Sequence, residues 1–456
     1  MDRMQEELNQ MLNPGMALAE SARWRPLVES LDSGFDKALV AQMLENERQY
    51  IDGLSEEVRI QNIGSYEKFV FPVIRATFPN LIAKDLVSVQ PMTGPTSLVF
   101  YLDAVYGNDK GAVKAGDTMF SAQRGHLADD QYSSEKISGE VIKVAASLGS
   151  GATTTGTLDY HSARPGTVTI TDGSVTFTDN GVGGLVPSTG SHTGSINYTT
   201  GAWSITYVST GPADGTEISA TYLYNSEGSS YVPIIDLTIS SVPVVAKPHK
   251  LRAHWSVEAA TNLRALHSMD AEAELVSLLT EKLRWDIDRK IISDLWSIAG
   301  AGSVSFDKTP DTGISWNDHK QTFIDTLIEG SNLIFKQTRR GSANFIVCDV
   351  LTSNIIESLY GFRPQAISGN GVVFMGTLQN RWSIYKDPYL ADNTFLMGYK
   401  GNSWMDAGYV FAPYVPLFMT PSYMLDDMIN RKGIMSQFAT KSINGSFYAT
   451  GSVTAS

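Results

Sequence analysis

Cysteine is nearly absent: Cys348 is the only one in 456 residues. A single thiol excludes an internal disulfide framework and a thiolate metal cluster, and it fits a chain made in a reducing cytosol. Long apolar runs are missing as well. The most apolar early segment, residues 69–78, is broken by Pro72 and Arg75 and falls far short of the roughly 18 apolar residues of a membrane span. No charged start followed by an apolar stretch stands at the N-terminus, so no secretory signal is expected and the chain reads as soluble. Positive charge is in deficit. Lys and Arg number 35 against 48 Asp and Glu, a net charge of −13, and such a surface is a poor general binder of nucleic acid. Lys336, Arg339 and Arg340 form the tightest basic group, read as a solvated loop.

What is present is a globular balance: 42% hydrophobic and 18% charged residues. The length exceeds one ordinary core, so about two to four domains are expected. Residues 1–68 read as a polar helical arm. Phe35, Leu39, Met43, Tyr50, Leu54 and Val58 recur near the helical period, and Asp32 and Ser33 are candidate caps. This stripe predicts an amphipathic helix packed on a partner surface, in the assembled state an intersubunit contact. Four prolines between Pro72 and Pro95 rule out one long helix there. Leu98, Phe100, Leu102 and Ala104 then alternate as in a strand.

Composition shifts sharply over 150–228. The stretch is rich in Gly and Thr and contains no Lys. Alternating pairs recur (Val168 and Ile170, Val175 and Phe177, Ile196 and Tyr198, Ile205 and Tyr207, Ile218 to Tyr224), with turn signals at Asp172-Gly173, Asn180-Gly181, Thr200-Gly201 and Asp214-Gly215. Short strands at this spacing predict a small antiparallel sandwich or barrel, inserted into a host domain. Helical pattern returns at 256–298. Ser256 and Asp270 are candidate caps, with a break at residues 267–270. From Ala273, Val276, Leu279, Leu283, Ile287, Ile291 and Leu295 form one stripe, and Asp286 and Lys290 can pair a turn apart. As one helix, 271–298 would be about 42 Å long. Residues 319–445 read as α+β, with strands at Phe345–Val347, Ile384–Tyr385, Phe395–Met397 and Tyr409–Phe411 and a helix at Thr352–Leu359.

The search for reaction chemistry comes back empty. No phosphate-cradling glycine loop followed by Lys-Ser or Lys-Thr exists. His249 and His254 are five apart beside Pro248, a poor metal pair. Gly190-Ser191-His192-Thr193-Gly194 has its serine misplaced for a nucleophile elbow. Asp286 and Asp288 point to different faces of a helix. Cys348 reads as a buried inert thiol. Trp203, Tyr207, Tyr222 and Tyr224 suit either a sugar-stacking face or core packing. No catalytic, metal or cofactor residue is expected.

Three stretches carry a resemblance. The first is Phe71-Pro72-Val73-Ile74-Arg75, Phe78-Pro79-Asn80-Leu81-Ile82-Ala83, Val89-Gln90-Pro91-Met92 and Gly94-Pro95-Thr96. The second is Trp255-Ser256-Val257-Glu258-Ala259-Ala260 and Asp270-Ala271-Glu272-Ala273-Glu274-Leu275. The third is Asp387-Pro388-Tyr389, Gly398-Tyr399-Lys400-Gly401, Met405-Asp406-Ala407-Gly408 and Ala412-Pro413-Tyr414-Val415. Together and in this order they resemble the major capsid proteins of T-even-type myoviruses. The resemblance implies the tailed-phage and herpesvirus major capsid fold, an α+β architecture. Its expected parts are an N-terminal arm at 1–68, a peripheral domain at 69–149 and 229–318 with an extended loop and a long spine helix, and an axial domain at 319–430. A C-terminal return to the peripheral domain at 431–456 and an all-β insertion at 150–228 complete it.

The resemblance further implies a structural, non-enzymatic subunit that assembles as hexamers into an icosahedral head, made in the host cytoplasm and resident in the virion. The implied partners are further copies of itself, a vertex capsid protein, a portal, a scaffold and decoration proteins. Double-stranded DNA would be enclosed without sequence-specific binding, and an acidic wall would repel it and let it slide. Alternatives are the pentamer-forming vertex paralogue, a carbohydrate-binding virion protein acting through the β insertion, and a non-viral shell of the same fold. Family precursors are trimmed after Leu or Ile, any residue, then Glu. Leu18-Ala19-Glu20, Leu27-Val28-Glu29 and Leu54-Ser55-Glu56 match, making Glu20, Glu29 and Glu56 the candidate processing residues.

Overall fold

The computed structural model describes residues 15–21, 23–29, 31, 34–57, 81–110, 113–119, 132–145, 150–209, 211–227, 232–310, 312–366, 371–401, 406–424 and 427–454, and for residues 16, 17, 35 and 51–57 the backbone alone. The candidate caps Asp32 and Ser33, the side chains of Phe35 and Leu54, Val58, the motif residues 71–80 and Met405 lie outside that description. The chain divides into two units, Met1–Tyr101 with Ser240–Ser456, and Leu102–Ile239.

The first unit is built on two sheets. A five-stranded sheet runs Ser88–Val89, Tyr409–Met419, Ile429–Ser442, Lys247–Ser256, with Tyr423–Met424 added to Ile429–Ser442. Helix α1, Gly34–Glu57, packs on it. Leu39, Val40, Met43 and Leu44 are buried in one core with Trp24, Val28, Phe411, Leu417 and Met419, and Tyr50 meets the Phe418 ring edge-on at 5.2 Å. Of the stripe expected to wait for a neighbouring subunit, Leu39, Met43 and Tyr50 thus meet the chain's own sheet. The reason is Tyr409–Met419, which is buried on both faces and so has a second apolar side to offer.

Ser256 accepts a hydrogen bond from the Ala259 amide and starts α2, Val257–His267, which ends at Ser268 in the left-handed region. Asp270 accepts from the Glu272 amide and opens α3, Ala271–Ile298, 28 residues in one run. Burial follows the expected stripe through Val276, Leu283, Ile287, Ile291 and Leu295, while Ala273 is exposed. The expected Asp286–Lys290 pair is not formed. Lys282 reaches Asp286 at 2.7 Å and Lys290 reaches Asp294 at 2.8 Å. Each lysine turns toward the helix C-terminus, and Asp294 also accepts the Tyr409 hydroxyl at 2.6 Å.

The second sheet of this unit has seven strands, in the order Ser303–Asp307, Tyr448–Thr454, Thr394–Gly398, Phe345–Cys348, Trp382–Lys386, Val373–Leu378, Phe362–Pro364. Helix α4, Phe323–Thr338, lays Phe323, Leu327 and Ile334 into its core. Two segments depart from the expected division. Tyr409–Met419, read with the axial part, belongs to the five-stranded sheet. Tyr448–Thr454, read as returning to the peripheral part, lies inside the seven-stranded one. Strands of similar alternation carry no label of the sheet they join, and the chain changes sheet twice near its end.

The second unit holds an eight-stranded antiparallel sheet ordered Lys136–Val144, Glu217–Leu223, Thr169–Thr171, Thr176–Asp179, Gly184–Pro187, Thr193–Ile196, Ala202–Thr206, Thr153–Thr157. Its core contains Ile170, Phe177, Ile205 and Ile218. At the first expected turn Asp172 accepts from the amides of Ser174 and Val175, and Gly173 takes φ 84°, which favours glycine. The sheet also includes Lys136–Val144, ahead of the composition step at 150; that strand carries Lys136, Glu140 and Lys143, so the uncharged composition does not mark it. Strands Thr96–Tyr106 and Ile235–Val245, along which the chain passes between the units, pair with each other.

Candidate functional site

The candidate processing residues lie on local helical structure. Leu18 and Ala19 are half-buried against the core and Glu20 is exposed, with Ser21 donating from its amide and hydroxyl to the Leu18 carbonyl. Val28 is buried, and the exposed Glu29 donates its amide to the Arg25 carbonyl at 2.9 Å. A protease reads an extended chain, so cutting after Glu20 or Glu29 requires one local turn to open. Glu56 stands in α1, and its side chain lies outside the description.

The residues tested for chemistry are dispersed. His249 stacks on Phe438 at 4.4 Å, while His254, on the other face of the same strand, is exposed. His192 is buried and its Nδ1 accepts from the Val208 amide at 3.2 Å, the role of a core histidine. Cys348 is fully buried and burial pushes its thiol up, away from nucleophilic use. Trp203, Tyr207, Tyr222 and Tyr224 are at most 3% exposed; they fill the core and present no stacking face for a sugar. Lys336 and Arg339 are exposed, while Arg340 is half-buried and faces Asp406 at 3.8 Å, so the three do not form one basic patch. Among the described residues no group of three or more His, Cys, Asp or Glu could hold a metal ion.

Several buried carboxylates escape a reading of the sequence, Asp288 and Glu140 among them. Asp288 is 3% exposed on α3; it accepts from the Ile82 amide, and burial raises its pKa to about 7 against the pull of Arg284. In the other unit Glu140 accepts from the Asp159 amide at 2.8 Å and from the Tyr222 hydroxyl at 2.5 Å, and burial raises it to about 7. Each sits at a structural junction rather than in a cleft. A helical or strand period with a charge on the apolar face was the available signal, and Asp288, one residue after Ile287 in the stripe, carried it.

The surface features are apolar. Leu98, Ile235, Leu237, Ile239 and Val245 on the paired strands are 48–64% exposed. Helix α2 buries none of its residues. Apolar side chains left exposed along a strand in this way mark surface for association.

Comparison with known proteins agrees with a shell subunit. The family described as major capsid protein Gp23 matches residues 63–455. The major capsid protein of Vibrio phage KVP40 is 30% identical over 441 residues, covering 89% of this chain and 79% of its own. That of Enterobacteria phage T4 is 29% identical over 378 residues, covering 76% of this chain and 70% of its own. Among solved structures, the capsid of Myoviridae phage XM1 aligns at TM-score 0.33 and 10% identity over 50% of this chain and 81% of that one. The capsid of an empty GTA particle aligns at 0.35 and 10% over 51% and 80%. By the match across residues 63–455, the chain belongs to the Gp23 major capsid protein family.

Proposed function

We infer that this chain is a structural shell subunit of a phage head, and we propose that it assembles there as hexamers around double-stranded DNA. The observation that carries the reading is the family match over residues 63–455. The non-enzymatic role belongs to the same proposal and rests on the family match. In the proposed layout the five-stranded sheet with α3 as its spine is the peripheral part and the seven-stranded sheet with α4 the axial part. The paired strands Thr96–Tyr106 and Ile235–Val245 are the extended loop, and the eight-stranded sheet from Lys136 to Leu223 is the insertion. Contacts between copies are then quasi-equivalent and heterologous around each capsomer. A net charge of −13 keeps the wall from holding DNA. Assembly in the host cytoplasm, and partnership with a vertex capsid protein, a portal, a scaffold and decoration proteins, belong to the same proposal.

Electron microscopy of the purified chain tests it. Hexameric capsomers, tubes or closed shells are expected; pentamers alone would assign the chain to vertices, and a monodisperse monomer under assembly conditions would overturn the reading. For the arm, we propose that any trimming falls after Glu20 or Glu29 rather than Glu56, because a cut after Glu56 removes Leu39, Val40, Met43 and Leu44 from the core of the first unit. Intact mass of the chain in mature particles decides between Ser21, Ser30 and Glu57 as the first residue.

A further inference from the structure

Helix α1 is a poor fit to its own site in one respect. Asp36, Gln42, Asn46 and Glu47 are buried on it, at 5, 4, 1 and 0% exposure. Part of this polar seam is satisfied. Lys84 reaches one Asp36 oxygen at 2.5 Å. The Gln42 amide donates to Asn46 Oδ1 at 2.9 Å, and Asn46 in turn donates to the Met92 and Tyr414 carbonyls at 2.7 and 3.0 Å. The remainder is not. Asp36 Oδ1, Gln42 Oε1 and both oxygens of Glu47 are buried without a hydrogen-bond partner. Native interiors leave few such atoms, and one that persists marks a place where the structure changes or stores strain.

Glu47 is the extreme case. It lies one residue past Asn46, in the turn that also carries the apolar Met43 and Leu44, and neither oxygen is compensated. Among the described residues the elements packed closest on α1 are Gly15–Ala19, Arg25–Val28 and Tyr409–Met419, while Lys84 and the Met92 carbonyl reach it at Asp36 and Asn46. Their titratable side chains are Arg25, which is exposed, Tyr409, whose hydroxyl is given to Asp294, and Tyr414. On α1 itself Glu45 is held by Arg48 and by the Trp24 indole N–H, and Tyr50 lies a turn away. Asp36 takes Lys84. No cation on these elements faces Glu47, and burial alone pushes its carboxyl well above the ordinary carboxylate range. A buried carboxyl in such a site stays neutral, because ionising it there would cost the hydration it has lost.

We propose that α1 is a releasable helix, held on the sheet by its apolar face and let go when Glu47 ionises. Docked, the carboxyl is enclosed and protonated; released, it is hydrated and charged. Each release therefore expels one proton in the pH range between the ordinary carboxylate value and the raised one, and in that range the release equilibrium rises by up to tenfold per pH unit. Lowering the pH seats the helix. Raising it exposes Leu39, Met43 and Leu44 together with the face of Tyr409–Met419 that they cover. The device rests on the packing of this one helix and stands or falls independently of the shell reading.

Hydrogen exchange of the full-length chain between pH 5 and 8, corrected for intrinsic exchange, measures it directly. Amides 38–48 of α1 should lose protection with rising pH by a factor approaching ten per pH unit over part of that range, while amides 327–338 of α4 hold constant. Glu47→Gln keeps the shape of the side chain and removes the titration, so its α1 protection should be flat with pH. A flat profile in the parent chain overturns the proposal whatever the variant does. So does a Glu47→Gln chain that retains the parent slope, which would place the coupling on another group.

Discussion

Replacing Asp288 with asparagine removes one negative charge from the inner side of α3 and keeps an oxygen to accept from the Ile82 amide. The parent carboxyl is 3% exposed, and its Oδ1 has no hydrogen-bond partner. Burial raises its pKa from 3.8 to about 7; Arg284 and the Ile82 amide pull the other way, and Asp387 and Asp85 add to the rise. A carboxyl whose folded value lies above its unfolded value stabilises the fold least when it is charged. Its contribution is fully present below about 3.8, erodes as the pH climbs, and is gone above about 7. The gap between the two values corresponds to about 4 kcal/mol. The asparagine side chain is neutral throughout, so the Asp288→Asn chain should gain on its parent as the pH rises from 4 to 8. The gain should reach about 2–4 kcal/mol at the alkaline end, with parity or a small loss at the acid end. Urea unfolding followed at several pH values reads the difference curve. A variant less stable than its parent at pH 8, or a difference that does not move with pH, would refute the burial argument for Asp288.

Leu283→Asp places a charge at a position 4% exposed under the five-stranded sheet, at a cost of roughly 4 kcal/mol or more. It should abolish closed particles in electron microscopy, and heads of normal stability would show that α3 is not the beam of the shell. A fragment of residues 132–227 should give a β-type circular dichroism spectrum and one cooperative melt, whereas 150–227 should not. Its missing strand Lys136–Val144 pairs with Glu217–Leu223 along six register positions. Equal melts for the two fragments would remove that strand from the folding unit.

Local signals in the sequence are legible where one residue type has one structural use. Ser256 and Asp270 cap helices because a short side-chain oxygen can reach a free amide two or three residues on. The α3 stripe appears because a helix packed on one sheet repeats its buried face every turn. The alternating runs of 150–228 appear because each strand there has one dry face. What stayed hidden depends on distant partners. No local pattern says that Tyr448–Thr454 will align parallel with Ser303–Asp307, or that Lys290 will choose Asp294 over Asp286. The stripe on α1 was visible, but its cover was not: a helix face states that it needs a partner and not which one. Glu47 was the least legible of all, since a glutamate beside Asn46 and Arg48 looks like solvent-facing composition until the chain folds and buries it.

The distribution of misfits argues for a chain completed by others. Its interiors are well filled, with Trp203, Trp382, Phe323 and Phe395 fully enclosed. Its exterior nevertheless keeps Ile235, Leu237 and Ile239 in water at 56, 64 and 58% exposure on one paired strand. Helix α2 has 11 residues and buries none, shorter than the roughly 12–15 residues at which an isolated helix becomes even marginal in water. A monomer gains little from such elements, and an exposed strand of this composition invites pairing with another chain. A shell subunit gains from both, because contacts that no single copy can satisfy are the ones that make association favourable. The same logic separates the two kinds of defect. Apolar groups left outside favour bringing copies together, whereas polar groups left inside, as on α1, favour release of the element that carries them.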